Sequence, residues 1–397
     1  MASTAPDNTA APDVHIPPST NTVTVSIIDT SMALSRITSA EFFGPPLPQH
    51  KYMAGRTAED AIPSFSFLIQ HPHLKRNLLF DLGLRKDWQT ACQPQLLAAL
   101  KHLGWGCEVK TDVREILETH QNEVGVGPED IEAIIWSHFH FDHSGDASRF
   151  PAETAVIVGP GVKDKLLPGY PENPESPIIA KDLEGRDLIE VDFGGNGAEN
   201  LKDGQQWSTL QIGQLRAVDY FHDGSFYLLD TPGHAIGHMV GLARMTEDSF
   251  ILMGGDAVHH VGELRPSRYL RVPDSVSLPV SSSVGGSAHG CACHAVSRAT
   301  FEKLLPKSIP GLTSFYAPQG TWHHDAAEAG RSAARLQDLD GLDNVFTVVA
   351  HDPTVLGVVD LFPLTANAWK EKGWREKALW RFLGHFDVQD DEAGSKH

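Results

Sequence analysis

Short apolar runs bounded by turn residues alternate along the chain with stretches of helical spacing, a pattern that predicts an α+β protein. Residues 23–28 form a first strand, and residues 64–70 and 77–82 read as a hairpin whose connection contains Pro72. Between 86 and 120 the apolar positions Leu96, Leu97, Leu100 and Leu103, then Val113, Ile116 and Leu117, fall three and four apart, as helices require. Pro128-Glu129-Asp130 resembles a capped helix start ahead of the apolar run 131–136, which reads as a buried strand. Residues 160–177 hold a helix and a Pro-rich loop. Residues 210–220 and 225–230 pair as a hairpin, since Asp223-Gly224 suits a tight turn. Apolar strands follow at 251–253 and 345–349, with helices at 299–305 and 325–336. Residues 369–386, with Trp369, Trp374, Trp380, Phe382 and Leu383, read as an amphipathic helix packed on the domain.

The polar residues that end these strands change the picture. The run 131–136 leads into Ser137-His138-Phe139-His140-Phe141-Asp142-His143-Ser144-Gly145-Asp146, with three histidines and a carboxylate inside residues 138–143. Along an extended segment, positions two apart share a face, so His138 and His140 can converge on one metal ion. Once the chain turns, Asp142 and His143 can serve a neighbouring ion. Three further strands end in ligand-type residues: His234 after Thr231-Pro232-Gly233, Asp256 after Gly254-Gly255, and His351 after Ala350. Four strand ends that each deliver His or Asp imply one shared dinuclear site. Two ions about 3.5–4 Å apart share and acidify a water and polarise a carbonyl, so hydrolysis is the chemistry implied.

With these motifs the chain resembles the metallo-β-lactamase superfamily over most of residues 23–360. His138, His140, Asp142 and His143 match its HxHxDH motif, and Asp81 in Leu79-Phe80-Asp81-Leu82-Gly83 matches its first acidic motif. The resemblance implies a four-layer αββα sandwich. It also implies one metal on His138, His140 and His234, a second on Asp142, His143 and His351, and Asp256 bridging them. Asp81 would orient a ligand, and Asp142 would hold the bridging water and pass a proton to the leaving group. Thr231-Pro232-Gly233-His234 and Ala350-His351-Asp352 look most like the quorum-quenching lactonases. That branch carries a Tyr three residues after the bridging Asp; here His259 takes the place and the carbonyl-polarising role. The segment 254–267 is similar to fungal γ-lactamases that open benzoxazolinone. The function implied is opening of a lactone or γ-lactam with two divalent ions, zinc foremost. The alternatives are a thioester hydrolase of the glyoxalase II type, a single-iron oxygenase on the same fold, or a scaffold without activity.

Composition sets the remaining bounds. Fifty-one acidic against 32 basic residues leave a formal charge of -19, which argues against nucleic acid as a partner. Ligands spread from His138 to His351 require one catalytic domain, taken as residues 23–365 with insertions. Residues 1–22 read as a disordered tail and 366–397 as the C-terminal helix and tail. No secretory signal or membrane span is legible, so the expectation is a cytoplasmic enzyme acting on a small molecule, with a homodimer as its assembly. Cys92, Cys107, Cys291 and Cys293 do not make a disulfide scaffold, and Cys291-Ala292-Cys293-His294 lacks a second ligand pair. The Ser-, Gly- and Pro-rich stretch 265–294 reads either as a lid or binding loop or as a flexible solvated excursion. His323 and His324 are expected at the surface.

Overall fold

Alternation within each strand decides which layer a side chain enters, and the layers follow from it. The structure, a computed structural model, describes residues 12–38, 41–45, 62–194, 206–279, 293–307, 313–386 and 388. A first mixed sheet has strands in chain order: β1 Thr24–Asp29, β2 Phe65–His71, β3 Arg76–Phe80, β4 Ala133–Ile135, β5 Ala155–Val158 and β6 Leu188–Glu190. A second runs β7 Thr209–Ile212, β8 Leu215–Asp219, β9 Phe226–Asp230, β10 Met239–Thr246, β11 Ser249–Met253 and β12 Val345–Val348.

Phe65, Phe67 and Ile69 of β2 enter a core shared with Leu228, Ile251 and Val348 of the second sheet. Leu68, between them, points the other way, into a cluster with Val113 and Leu117. On the far side of the second sheet, Leu229, Leu242 and Leu252 pack with Ala333, Leu336 and Leu339. Those three belong to the helix Ala326–Asp340. The result is helix, sheet, sheet, helix: the α+β four-layer sandwich.

Helix Val113–Val124 forms where its ends are satisfied. The Asp112 carboxylate accepts from the Glu115 backbone N–H at 3.0 Å, and Gly125 closes the other end in the left-handed region. The spacing read across 86–120 is broken into Trp88–Ala91, Pro94–Leu103 and this helix, with a short strand Gly106–Val109 between.

Four sequence expectations need correction. Residues 210–220 are two antiparallel strands, β7 and β8, which turn at Gly213, before β8 pairs with β9. Residues 369–386 are turns holding the short helix Trp374–Ala378 and the 3-10 helix Arg381–His385, because Gly373 at positive φ breaks the run. Trp369, Trp374, Phe382 and Leu383 are nevertheless buried. Residues 12–22, expected to be tail, lie on the second sheet: the buried Arg244 guanidinium needs acceptors and donates to the carbonyls of Pro17 (2.5 Å), Gly224 (2.8 Å) and Glu247 (2.7 Å). Within the expected loop 265–294, Ser275–Pro279 pairs with Cys293–Ser297 as an antiparallel ribbon. Its tip, and with it the Cys291–His294 side chains, lies outside the described residues, as does most of the loop through Pro48.

Candidate metal centre

Strand direction brings the polar ends together. Strands β3 and β4 are parallel, as are β11 and β12, and β9 runs with β11 because β10 is antiparallel to both. The C-terminal ends of β3 and β4 therefore open at one edge of the sandwich beside those of β9, β11 and β12. Asp81 follows β3, Ser137 and His138 follow β4, and His234, Asp256 and His351 follow the other three. The Met239 backbone N–H, bonded to Ser137 O at 2.9 Å, ties one sheet to the other at this edge. Asp142 and His143 sit on a single helical turn, Phe141–Ser144, which begins directly after His140.

Three groups of ligand atoms result among the described residues; His234, His259 and His323 make one of them, and the two expected from the sequence are the others. Of those two, His138, His140, His234 and Asp256 form one, and Asp142, His143 and His351 the other. The Asp256 carboxylate lies between these two. Its Oδ1 is 3.2 Å from His143 Nε2 and 3.2 Å from His351 Nε2, while its Oδ2 faces His234 Nε2 at 3.5 Å and His138 Nε2 at 3.8 Å.

The outward nitrogens of four histidines are already committed. His143 Nδ1–H donates to Asp81 Oδ2 at 2.9 Å, and His351 Nδ1–H donates to Pro63 O at 2.7 Å. His138 Nδ1–H donates to Ser137 Oγ at 3.0 Å, because that hydroxyl gives its own proton to Asp81 Oδ2 at 2.8 Å. His234 Nδ1 faces His323 Nδ1 at 3.3 Å. Their Nε2 atoms turn inward and crowd: His138 and His234 at 3.1 Å, His143 and His351 at 3.2 Å, with His140 Nδ1 3.0 Å from His234. Lone pairs aimed at one another with both tautomers set from outside are the donor arrangement of a cation site. The residues present fit a pair of divalent ions.

Protonation divides the groups. Burial, reinforced by neighbouring histidines, holds His138 and His234 well below the usual imidazole range; burial takes His140 down to about 4 against the pull of Asp142 and Asp256. His143 and His351 are penalised by burial too, but Asp256 and Asp142 outweigh it and raise both. Burial also raises the Asp81 carboxyl, opposed by its bonds to His143 and Ser137.

Above the centre is a cavity whose floor includes His140, Asp142, Asp256 and His351. Its walls are apolar: Trp105 and Trp322 stack at 4.9 Å between centroids, with Phe42 5.6 Å from Trp105. His259 lines the same cavity with its ring 4.5 Å from Phe42 and its Nε2 3.2 Å from Asp256 Oδ2. Both His259 ring nitrogens are buried without an aligned hydrogen bond among the described residues.

His323 corrects the sequence reading: it is buried against His234, because its Nε2–H is drawn to Phe42 O at 3.1 Å, while His324 is the outer residue of the pair. His238, which the sequence reading passes over, is buried as well. It accepts the Asp256 backbone N–H on Nε2 at 3.1 Å and donates from Nδ1 to Thr231 O at 3.1 Å, which fixes the backbone at Asp256. Its place four residues after His234, on the same turn, was the available signal.

Residues 60–278 match the metallo-beta-lactamase superfamily. Gamma-lactamase FDB1 of Fusarium pseudograminearum (strain CS3096) is 40% identical over 96% of this chain and 86% of its own length. Metallo-hydrolase mfmC of Annulohypoxylon moriforme is 38% identical over 94% of this chain and 90% of its own. Cytochrome P450 monooxygenase mpaDE of Penicillium roqueforti (strain FM164) is 38% identical over 98% of this chain, which spans 40% of that longer protein. On that matched span, and on identity sustained over nearly the whole of both FDB1 and this sequence, the chain belongs to the metallo-beta-lactamase superfamily.

Proposed function

We infer that this chain is a dinuclear metal-dependent hydrolase that opens a cyclic ester or amide, a lactone or γ-lactam fused to or carrying an aromatic ring. The observation that carries it is the pair of ligand groups joined by Asp256 beneath an aromatic-walled cavity. His138, His140 and His234 would hold one ion, Asp142, His143 and His351 the other, with zinc suited to this histidine-rich set. When bound, two such ions lower the pKa of a shared water and polarise the scissile carbonyl.

The chain's own residues supply the remainder. Asp142, on the cavity floor, orients the attacking water and delivers a proton to the ring heteroatom as the acyl bond breaks. His259 is placed to donate to the carbonyl oxygen, the place a Tyr takes in the lactonases that the sequence resembles. Trp105, Trp322 and Phe42 offer flat apolar faces for an aromatic ring. The name of FDB1 supports a γ-lactam, and the flat faces of Trp105 and Trp322 would suit a planar ring such as benzoxazolinone. Among the described residues no Lys or Arg lines the cavity, which leaves an anionic thioester without a cradle there.

The test is elemental analysis of the purified protein with ring-opening assays on γ-lactones, γ-lactams and benzoxazolinone. Two metals per chain, with turnover abolished in Asp142→Ala and His138→Ala, support the reading. One iron with oxygen uptake, or turnover that survives removal of both ligands, refutes it.

A further inference from the structure

We propose that His323 is a positioning residue that fixes the tautomer and orientation of His234, a role no sequence motif assigns. This rests on reading His234 as a metal ligand.

The relay begins in the cavity wall. His323 Nε2–H donates to the Phe42 carbonyl at 3.1 Å, which leaves His323 Nδ1 as an acceptor. His234 Nδ1–H fills it at 3.3 Å, so the proton of His234 is held on the outer nitrogen and its Nε2 lone pair faces His138 Nε2 at 3.1 Å and His140 Nδ1 at 3.0 Å. Such outer partners hold a ligating imidazole in register and strengthen it as a donor. The other buried ligands whose outer nitrogens are bonded use a carboxylate, a hydroxyl or a carbonyl for this purpose. A second histidine does the same for His234.

The side chain's role is separable from the loop's. Backbone bonds from His324 N to His234 O and from Asp325 N to Gly233 O, both 2.8 Å, dock this turn whatever residue 323 carries. His234, His259 and His323 also lie close enough to be ligands of a further ion, which makes the direct-ligand role the competing account.

The experiment loads the full-length protein with zinc(II) and follows zinc release against rising EDTA with a chromophoric indicator. In the wild type two ions are expected per chain. His323→Phe keeps the ring's bulk without its nitrogens, and one ion should leave at an EDTA concentration about 10–100-fold lower while the other is unmoved. His323→Gln, whose amide offers one acceptor and one donor, should recover most of the loss. If His323→Phe does not fold, His323→Ala takes its place. Release identical to wild type, or loosening of both ions equally, overturns the proposal and leaves the metal centre standing. Three ions in the wild type with one absent from the variant makes His323 a ligand and overturns it too. A wild type that binds no zinc overturns the metal centre itself, and this inference with it.

Discussion

Asp81 joins three groups at once: it accepts from Ser137 N at 2.7 Å, from Ser137 Oγ at 2.8 Å and from His143 Nδ1 at 2.9 Å. It holds a φ of 60°, left-handed backbone that a short Asp tolerates better than most residues. An amide there keeps one acceptor but presents N–H groups to two donors. Asp81→Asn is therefore expected to weaken metal binding about 10–100-fold, or about 1.4–2.7 kcal/mol, read by chelator competition; unchanged retention would remove Asp81 from the centre. Protonation gives a second expectation. Asp256 and Asp142 raise His143 and His351, whereas burial lowers His138, His140 and His234, so a cation competes with protons at the first pair at higher pH than at the other three. Binding at the Asp142/His143/His351 group should weaken first as pH falls, and metal uptake there should release protons. Metal content across a pH series and calorimetry in buffers of different ionisation enthalpy measure both; loss of the two ions at one pH would contradict this ordering. The residues this depends on were legible because each follows an apolar run. His323 and Ser137 were not, since a hydrogen-bonding partner to a ligand has no spacing rule and becomes evident only when the chain returns to the site.

At the level of elements, the Pro232-Gly233-His234 turn shows how a strand end and a helix are made to meet. Gly233 has a φ of 125°, and a Cβ there would strike the backbone of Glu328 and Ala329 in the first turn of helix Ala326–Asp340. Gly233→Ala should cost roughly 2 kcal/mol or more, by strain and by pushing the helix away, with His234 displaced; a thermal melt matching wild type would show that the helix yields freely. The cavity wall is built from elements far apart in sequence, Trp105 and Trp322, stacked at an interplanar angle of 25°. Trp322→Ala should raise KM for a planar aromatic substrate about 3–10-fold, the worth of about 0.5–1.5 kcal/mol for an aromatic pair, and leave kcat closer to wild type. Equal KM values would place the substrate elsewhere. Strands were readable from apolar runs because period two separates the two faces of a sheet, as Phe67 and Leu68 illustrate. Segment 369–386 misled because its tryptophans are buried by turns wrapped over the core, and burial alone imitates an amphipathic face.

Across the whole molecule, the candidate metal centre is also a joint. His138, His140, Asp142 and His143 come from the end of the first sheet, and His234, Asp256 and His351 from the second. Ions held between those ends would bind the assembled sandwich in preference to the unfolded chain, where residues 138 and 351 are distant, and would stabilise the fold by linkage. At free metal about a thousand times Kd, one ion contributes about 4 kcal/mol. For a chain of 397 residues, that corresponds to a midpoint shift of about 5 °C. Without the ions, His143 and His351 retain a carboxylate partner in Asp256, but His138 and His234 turn unprotonated nitrogens on each other at 3.1 Å, so the edge of the sandwich is where cohesion is lost. Stripped protein should therefore melt lower than loaded protein by that margin, and hydrogen exchange should increase first at the ends of β4, β9, β11 and β12. Calorimetry with and without chelator, repeated after metal is restored, decides it. Equal midpoints would mean that the hydrophobic layers alone hold the sheets together and that any ions bound there serve the chemistry without supporting the fold.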